Sequence, residues 1–109
     1  MNMLNSLIVE GTVKSELNYT SDSAWFEIET VRHYKKADGT MKDESSVFPV
    51  EVYGSSFVDM LRKHVYKERG IRVVGKLKQK KWTDETGRTE SKVVIIAEHV
   101  EFKPSKKAE

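Results

Sequence analysis

Five segments of this chain alternate apolar and polar residues with a period of two, and one segment between them departs from that pattern. Side chains of an extended strand point alternately to its two faces, so each alternating segment predicts a strand that buries one side. The predicted strands are Leu4 to Val13, Ala24 to His33, Val47 to Tyr53, Ile71 to Trp82 and Lys92 to Phe102. We therefore expect an all-β chain.

The departure from alternation predicts a single helix. Between Gly54 and Gly70 the apolar residues are spaced as on one face of an α-helix. Ser55 or Ser56 is a suitable amino-terminal cap, and Gly70 is a suitable stop. Three strands, one helix and two strands is the order of the OB-fold, a five-stranded Greek-key barrel with its helix between strands three and four. The residues at helical spacing are Phe57, Met60, Leu61, His64 and Val65.

The connecting segments are rich in turn residues. Asn18 to Ser23 predicts a turn, and a loop is expected from Tyr34 to about Ser45, with Asp38-Gly39 as its turn. Gly11 within the first strand predicts a bulge or a close approach of two backbones. Pro49 weakens the third strand, because proline has no N–H to donate.

The length of 109 residues suffices for one domain with a modest core. We predict that domain over residues 1–102 and a short polar tail over residues 103–109. The sequence has no cysteine, which excludes disulfides and thiolate metal sites. It shows no signal-peptide pattern and no run of the about eighteen apolar residues that a membrane helix requires. We therefore expect a soluble, cytoplasmic protein.

The fourth predicted strand carries a basic side chain at every second position and then a tryptophan. One face presents Lys76, Lys78, Lys80 and Trp82, and Leu77 and Gln79 take the other. Unpaired lysines are not buried, so the lysine side is exposed to solvent. Single-stranded nucleic acid offers such a face phosphates for the ammonium groups and bases for the indole. The net charge of only +2 does not by itself indicate nucleic acid, so a solubilising lysine face with a half-buried tryptophan is the alternative.

The last predicted strand is apolar on both faces from Val93 to Ala97, and Leu7 and Ile8 lie on opposite faces of the first strand. A strand that is apolar on both sides has both faces shielded from solvent. The barrel core would shield one face. Another subunit would shield the second face, and the predicted helix is the alternative.

Several short motifs follow one another along the chain: Arg32-His33-Tyr34-Lys35 with Asp38-Gly39, Val50-Glu51-Val52-Tyr53-Gly54, Gly70-Ile71-Arg72-Val73-Val74-Gly75-Lys76-Leu77, Lys81-Trp82-Thr83-Asp84 and Gly87. The most specific of them is a strand that ends in Gly-x-Leu and is followed closely by Trp-Thr-Asp and a glycine. In the order and spacing of these motifs the sequence resembles the bacterial single-stranded DNA-binding proteins from about Leu4 to Phe102, which implies a location in the bacterial cytosol or nucleoid.

The resemblance implies that a few aromatic side chains stack on DNA bases. Family positions at the end of the second strand, at the end of the third strand and in the last hairpin match Tyr34, Tyr53 and Trp82. A fourth position matches Val47 or Phe48, depending on the direction of counting. Phe48 is the weaker match, since alternation points it inward. Trp25 faces away from the predicted core, and an interface is one option for it.

Lysine and arginine at a groove would contact phosphates without reading sequence. The basic residues Arg62, Lys63, Lys67 and Arg69 lie on or after the helix and are assigned to its solvated face. The candidates for phosphate contact are Arg32, Lys35, Lys36, Arg72, Lys76, Lys78, Lys80, Lys81 and Arg88.

The resemblance further implies sequence-independent binding and protection of single-stranded DNA in replication, recombination or repair, by a homo-oligomer, a tetramer, without cofactor or catalysis. Two departures from the family matter. Lys14 to Tyr19 stands where relatives carry Asp-Pro-Glu and an arginine. Relatives also end in an acidic tip that recruits replication and repair proteins, whereas residues 103–109 here are basic, which puts such partners in doubt. The chain is then either truncated or a short relative.

Other functions fit the sequence less well. An enzyme is not expected, because His33, His64 and His99 fall on three different elements without metal-ligand spacing, and no nucleophile or phosphate-loop motif occurs. The nearer alternative is an OB-fold accessory protein of the primosomal or recombination type, acting mainly through protein partners. A third alternative is a barrel adaptor whose basic face meets an acidic protein.

Overall fold

A computed structural model describes residues 1–104, and residues 105–109 lie outside the described part. Within it the elements are β1 Leu7–Val13, β2 Asn18–Tyr19, β3 Ser23–Lys35, β4 Met41–Tyr53, α1 Ser55–His64, β5 Gly70–Thr83 and β6 Thr89–Phe102. All five predicted strands form, and β2 is a two-residue addition within a segment that was predicted as a turn. The helix therefore separates the third and fourth predicted strands, as expected.

The strands form one sheet in the order β1-β5-β6-β4-β3-β2, and it closes because β1 also pairs with β3. The pairing of β4 with β6 is parallel, and the other pairings are antiparallel. The result is the predicted all-β OB-fold, a closed five-stranded barrel with one helix.

Gly11 lies where β1 turns from β5 towards β3, and a Cβ atom there would collide with the backbone of Glu29. The predicted close approach at Gly11 is thus confirmed. The pairing irregularity that a bulge produces is found at another position, between Val74 and Gly75 of β5, where the register with β6 shifts.

The core is formed by the inward residues of the strands and by one face of α1. Val58 and Leu61 of α1 are buried, and the helix packs against β3 and β4. From the strands, the fully buried side chains include Val13, Phe26, Ile28, Val50, Val52, Ile71 and Val73. Alternation predicted these strand positions, because one face of each strand meets this core.

The ends of the helix differ from the prediction. Gly54, with φ 112°, occupies the cap position and makes no side-chain hydrogen bond, so a cap by Ser55 or Ser56 was wrong. Both serines lie inside the first turn. The helix ends at His64, and Gly70 instead begins β5. The strand takes precedence over the helix here because its backbone pairs with β1 from Gly70 onwards.

The predicted loop from Tyr34 to about Ser45 was also wrong. Strands β3 and β4 pair continuously out to Lys35 opposite Met41, so only residues 36–40 form the turn. Gly39 has φ 91°, which fits the predicted Asp38-Gly39 turn. Residues 41–45 are exposed. They show no alternation because neither of their faces touches the core. Pro49 lies opposite Glu27 within this ladder.

The two-sided apolar run of the last strand is only partly buried. Ile95 and Ala97 belong to the core, and Val94 on the opposite face is buried as well. Val93 and Leu77 are half-exposed, because the β5–β6 hairpin extends past the core. Ile8, on the outer face of β1, is 69% exposed.

None of the helices within residues 1–104 is long and apolar enough to cross a membrane. The predicted polar tail lies mostly outside the described residues, and only Lys103 and Pro104 of it are seen. The boundary between domain and tail at residue 102 stays a prediction.

Candidate nucleic-acid interface

The outer surface of β5 and β6 brings lysines from both strands onto one face. Cross-strand pairs on it are Lys76 with Ile96, Lys78 with Val94, Lys80 with Lys92 and Trp82 with Glu90. Positions two apart on a strand share a face, so the predicted grouping of the β5 lysines with the tryptophan agrees with the register. We call this set the lysine face: Lys76, Lys78, Lys80, Lys92 and Trp82.

Strand β4 adds a tyrosine and a carboxylate to this surface. Glu51 is only 8% exposed. One of its oxygens, Oε1, accepts a hydrogen bond from the Tyr53 hydroxyl at 2.6 Å. The other, Oε2, accepts one from the Lys80 ammonium at 2.8 Å. The ring of Tyr53 nevertheless stays half-exposed, so Glu51 links an accessible aromatic side chain to the lysine face.

The charges of this triad follow from its contacts. Burial raises the pKa of Glu51, but the hydrogen bonds from Lys80 and Tyr53 outweigh it, and the pKa lies below its usual value. The hydrogen bond to Glu51 raises the pKa of Tyr53 and that of Lys80. At neutral pH the triad is therefore a carboxylate held between a neutral phenol and an ammonium group.

Two surface cavities meet at Tyr53. One, of about 340 Å³, is lined by Ser23, Ala24, Trp25, Glu51, Tyr53, Lys80 and Lys92. The other, of about 480 Å³, is lined by Asn5, Tyr53, Lys76, Leu77, Lys78 and Ile96. Trp25 lies opposite Glu51 on the neighbouring strand and is half-exposed. The two cavities give the lysine face a concave surface with tyrosine between them.

A larger cavity, of about 560 Å³, lies elsewhere and is lined in part by Glu10, Glu29 and Glu68. Lys14 pairs with two of these carboxylates, Glu29 and Glu68. Acidic groups repel phosphate, so size alone does not identify the nucleic-acid surface.

The turn after β5 holds Trp82 near the tip of a hairpin. The carboxylate of Asp84 accepts hydrogen bonds from the backbone N–H groups of Thr86 and Arg88 and from the Thr86 hydroxyl. These contacts lower the pKa of Asp84, the Thr86 hydroxyl most of all. Trp82 is 46% exposed, and Lys81 and Arg88 are exposed beside it. A fixed turn therefore presents the indole to solvent.

The outer part of the β3–β4 hairpin, from Arg32 to Glu44, is called the β3–β4 arm here and carries a separate group of predicted residues. The Arg32 guanidinium lies 5.1 Å from the centroid of the Tyr34 ring, a cation–π contact. Lys35 and Lys36 are exposed at the tip of the arm. Tyr34 shares a strand face with Ile28, whereas Tyr53 lies on the opposite face of the sheet. The structure therefore does not bring Tyr34 into contact with the lysine face.

The fourth aromatic position stays open. Phe48 lies opposite Ile28 on the core side of β4, as alternation predicted, but it is 37% exposed. Val47 points the other way, opposite Glu29, and is half-exposed.

Arg72 differs from the other predicted phosphate ligands. Its guanidinium pairs with Glu10 at 2.7 Å and with Glu101 at 3.2 Å. Two carboxylates already balance its charge, so Arg72 adds no positive charge to the surface. Its predicted role in DNA binding stays a prediction.

Sequence reasoning missed three members of this surface, Glu51, Lys92 and Trp25. Alternation does place Glu51 and Tyr53 on one outward face of their strand. The cross-strand register that sets Glu51 near Lys80 could not be read from either segment alone. Within the described residues, no cluster of side chains suited to a metal ion is present.

The chain is similar to known proteins over most of its length. A model of the single-strand binding protein family matches residues 4–103. The single-stranded DNA-binding protein of Wolinella succinogenes is 32% identical over 111 residues, covering 97% of this chain and 68% of that protein. That of Helicobacter pylori is 28% identical over 109 residues, covering 95% of this chain and 60% of that protein. The chain thus spans between 60% and 68% of these curated relatives.

Solved structures share the fold. A Plasmodium falciparum SSB in complex with ssDNA superposes with a TM-score of 0.85 at 21% identity, covering 95% of this chain and 98% of that one. The small single-stranded DNA-binding protein from Streptomyces coelicolor gives a TM-score of 0.73 at 17% identity, covering 94% and 96% of the two chains.

Proposed function

Because this chain belongs to the single-strand binding protein family, we propose that it binds single-stranded DNA through the lysine face and Tyr53. Members of the family are DNA-binding proteins without enzymatic activity, in agreement with the expectation from the sequence. The observation that carries the proposal is the position of two half-exposed aromatic rings, Trp82 and Tyr53, beside exposed lysines.

Stacking and charge have separate tasks in this proposal. The faces of Trp82 and Tyr53 accept bases, and stacking tolerates any base because every base has a π-face. The ammonium groups of Lys76 and Lys78 on the lysine face attract phosphates regardless of sequence, and Lys81, exposed next to Trp82, is a further candidate. Binding should therefore be nearly independent of sequence and should weaken as salt is added.

The β3–β4 arm offers a second group of candidate contacts, separate from the lysine face. Tyr34, held by Arg32, offers a further ring, and Lys35 and Lys36 offer further charges at the tip. Arg88 lies beside the hairpin that carries Trp82 and is a candidate for the same backbone. Phe48 is a secondary candidate because of its partial exposure.

We propose in addition that the protein is a homo-oligomer, a tetramer by resemblance. Within the described chain, β1 pairs with β3 only at Thr12 and Val13, so residues 7–11 pair on one side alone, with β5. This free edge and the exposed Ile8 beside it suit pairing with a second copy of the chain.

Roles in replication, recombination or repair, a cytosolic location and recruitment of other proteins stay predictions.

The test is a titration of intrinsic tryptophan fluorescence with oligo-dT and with duplex DNA, at about 50 and 200 mM salt. We expect quenching by oligo-dT, much weaker binding of duplex, and lower affinity at the higher salt. Equal affinity for duplex, or binding of DNA only when a protein partner is added, would favour the accessory-protein alternative.

A further inference from the structure

Glu51 is a nearly buried carboxylate within a surface that the proposed function requires to be positive. Its two oxygens are engaged by different partners, the Tyr53 hydroxyl and the Lys80 ammonium. A carboxylate repels phosphate, so its presence on this surface reduces the attraction of DNA. Its contacts show that it is fixed in place rather than loosely exposed.

The effect of Glu51 falls on one lysine of the face. Lys80 and Lys78 lie two residues apart on the same side of β5. Lys80 forms an ion pair with Glu51 at 2.8 Å, whereas Lys78 has no ion-pair partner within residues 1–104. The two side chains are otherwise alike in strand, face and charge. Lys78 is therefore a matched comparison for Lys80.

We propose that Glu51 pairs with the Lys80 ammonium group in the free protein and competes with DNA phosphate for it. Glu51 therefore limits how strongly this surface attracts the DNA backbone. The inference rests on the proposed function. When a phosphate takes the ammonium, Glu51 loses its counter-charge and draws a cation from solution. That uptake offsets part of the cation release that drives binding, and it lowers the salt dependence of the affinity.

Glu51→Gln separates this charge effect from the packing of the site. Glutamine has nearly the same shape, and its amide oxygen can still accept the hydrogen bond from the Tyr53 hydroxyl. The aromatic surface should therefore be preserved. We expect the slope of log affinity against log salt for oligo-dT to steepen by about 0.7, the value for one phosphate contact on a single strand. At low salt the affinity should rise by about two- to fivefold.

Background variants identify the lysine involved. The steepening caused by Glu51→Gln should disappear when Lys80→Met is also present, because the ammonium that Glu51 occupies is then gone. It should persist in combination with Lys78→Met. Taken alone, Lys80→Met should lower the slope less than Lys78→Met, which provides a second measurement if the Glu51 variant does not fold.

Glu16→Gln is the control for net charge, since Glu16 is exposed between β1 and β2. It should leave the slope unchanged, and equal steepening there would overturn the inference. An unchanged slope in folded Glu51→Gln, a steepening that survives Lys80→Met, or equal slopes for the two single lysine variants would overturn it too. If the unmodified protein binds oligo-dT, those results leave the proposed function standing. Failure of the unmodified protein to bind overturns both.

Discussion

At the residue scale, Trp82 tests whether the lysine face stacks bases. We predict that Trp82→Ala weakens binding of oligo-dT by about 1–3 kcal/mol, the usual contribution of one stacked base. The fold should survive, because the side chain is half-exposed on a hairpin beyond the core. Equilibrium titration of the variant measures the change in affinity, with circular dichroism to confirm folding.

Tyr19→Ala is the matched control for Trp82. Tyr19 is as exposed as Trp82 but lies on β2 and packs against Arg62, whose guanidinium is 4.5 Å from the ring centroid. We expect its affinity for oligo-dT to match that of the unmodified protein. A folded Trp82→Ala protein with full affinity would remove Trp82 from the site.

The lowered pKa of Glu51 predicts how the stability of the fold depends on pH. Its pKa in the folded protein is lowered, so its ion pair stabilises the fold above the ordinary glutamate pKa and this contribution is lost as pH falls through the folded value. We predict that the unfolding free energy falls more steeply for the unmodified protein than for Glu51→Gln between about pH 5 and pH 3. Urea denaturation at a series of pH values and a fixed protein concentration measures the unfolding free energy of both proteins.

Other carboxylates share this direction, since the contacts of Glu10, Asp38 and Asp84 lower their pKa values as well. Both proteins should therefore lose stability in acid, and only the difference between them reports on Glu51. Parallel curves for the two proteins would show that the Glu51 ion pair adds nothing to stability.

At the scale of the elements, the β5 strand tests the electrostatic part of the mechanism. We predict that replacing Lys76 and Lys78 together by methionine flattens the salt dependence of oligo-dT binding, by about 0.7 in slope for each phosphate that is no longer neutralised. The same double replacement at Lys63 and Lys67, on and after the helix, should leave the slope unchanged. Equal flattening by both pairs would mean that net charge, and not this face, drives binding.

The β5–β6 hairpin depends on an irregularity at Gly75. The register shifts between Val74 and Gly75, so that Glu98 of β6 is left without a cross-strand partner. A Cβ atom at Gly75 would collide with the carbonyl group of Ile96. We predict that Gly75→Ala lowers the unfolding free energy by about 1–3 kcal/mol, as overpacking does.

Gly70→Ala is the control for Gly75. The atoms nearest to a Cβ at Gly70 belong to the side chain of Lys103, which can move aside. Thermal denaturation should therefore show a smaller destabilisation there. A tolerated alanine at Gly75 would contradict the close backbone contact.

At the scale of the whole molecule, the free edge of β1 predicts association. We expect light scattering to give a multiple of the 12.6 kDa chain mass, with four copies by resemblance. Ile8→Asp should reduce that mass, because it places a charge at the proposed contact. Val31→Asp, at a half-exposed valine on β3, should leave the mass unchanged. A monomer mass at roughly tens of micromolar protein would refute the association.

Most of the fold could be predicted from the sequence because it depends on local periodicity. Alternation located the five strands of the barrel, and the change of period placed the helix between Gly54 and Gly70. The same alternation put Lys76, Lys78 and Lys80 on one side of β5. These features need only the direction of side chains along a single strand or helix.

Tertiary structure decided what depends on partners distant in the sequence. Residues 41–45 form a strand although their sequence shows no alternation, because β3 supplies hydrogen bonds along their whole length. Arg72, which the sequence grouped with the lysines, is balanced by carboxylates on two other strands. Glu51 of β4 pairs with Lys80 of β5 because the intervening strand β6 brings these two strands to neighbouring positions in the sheet. Cross-strand register sets these contacts, and no single segment of the sequence contains it.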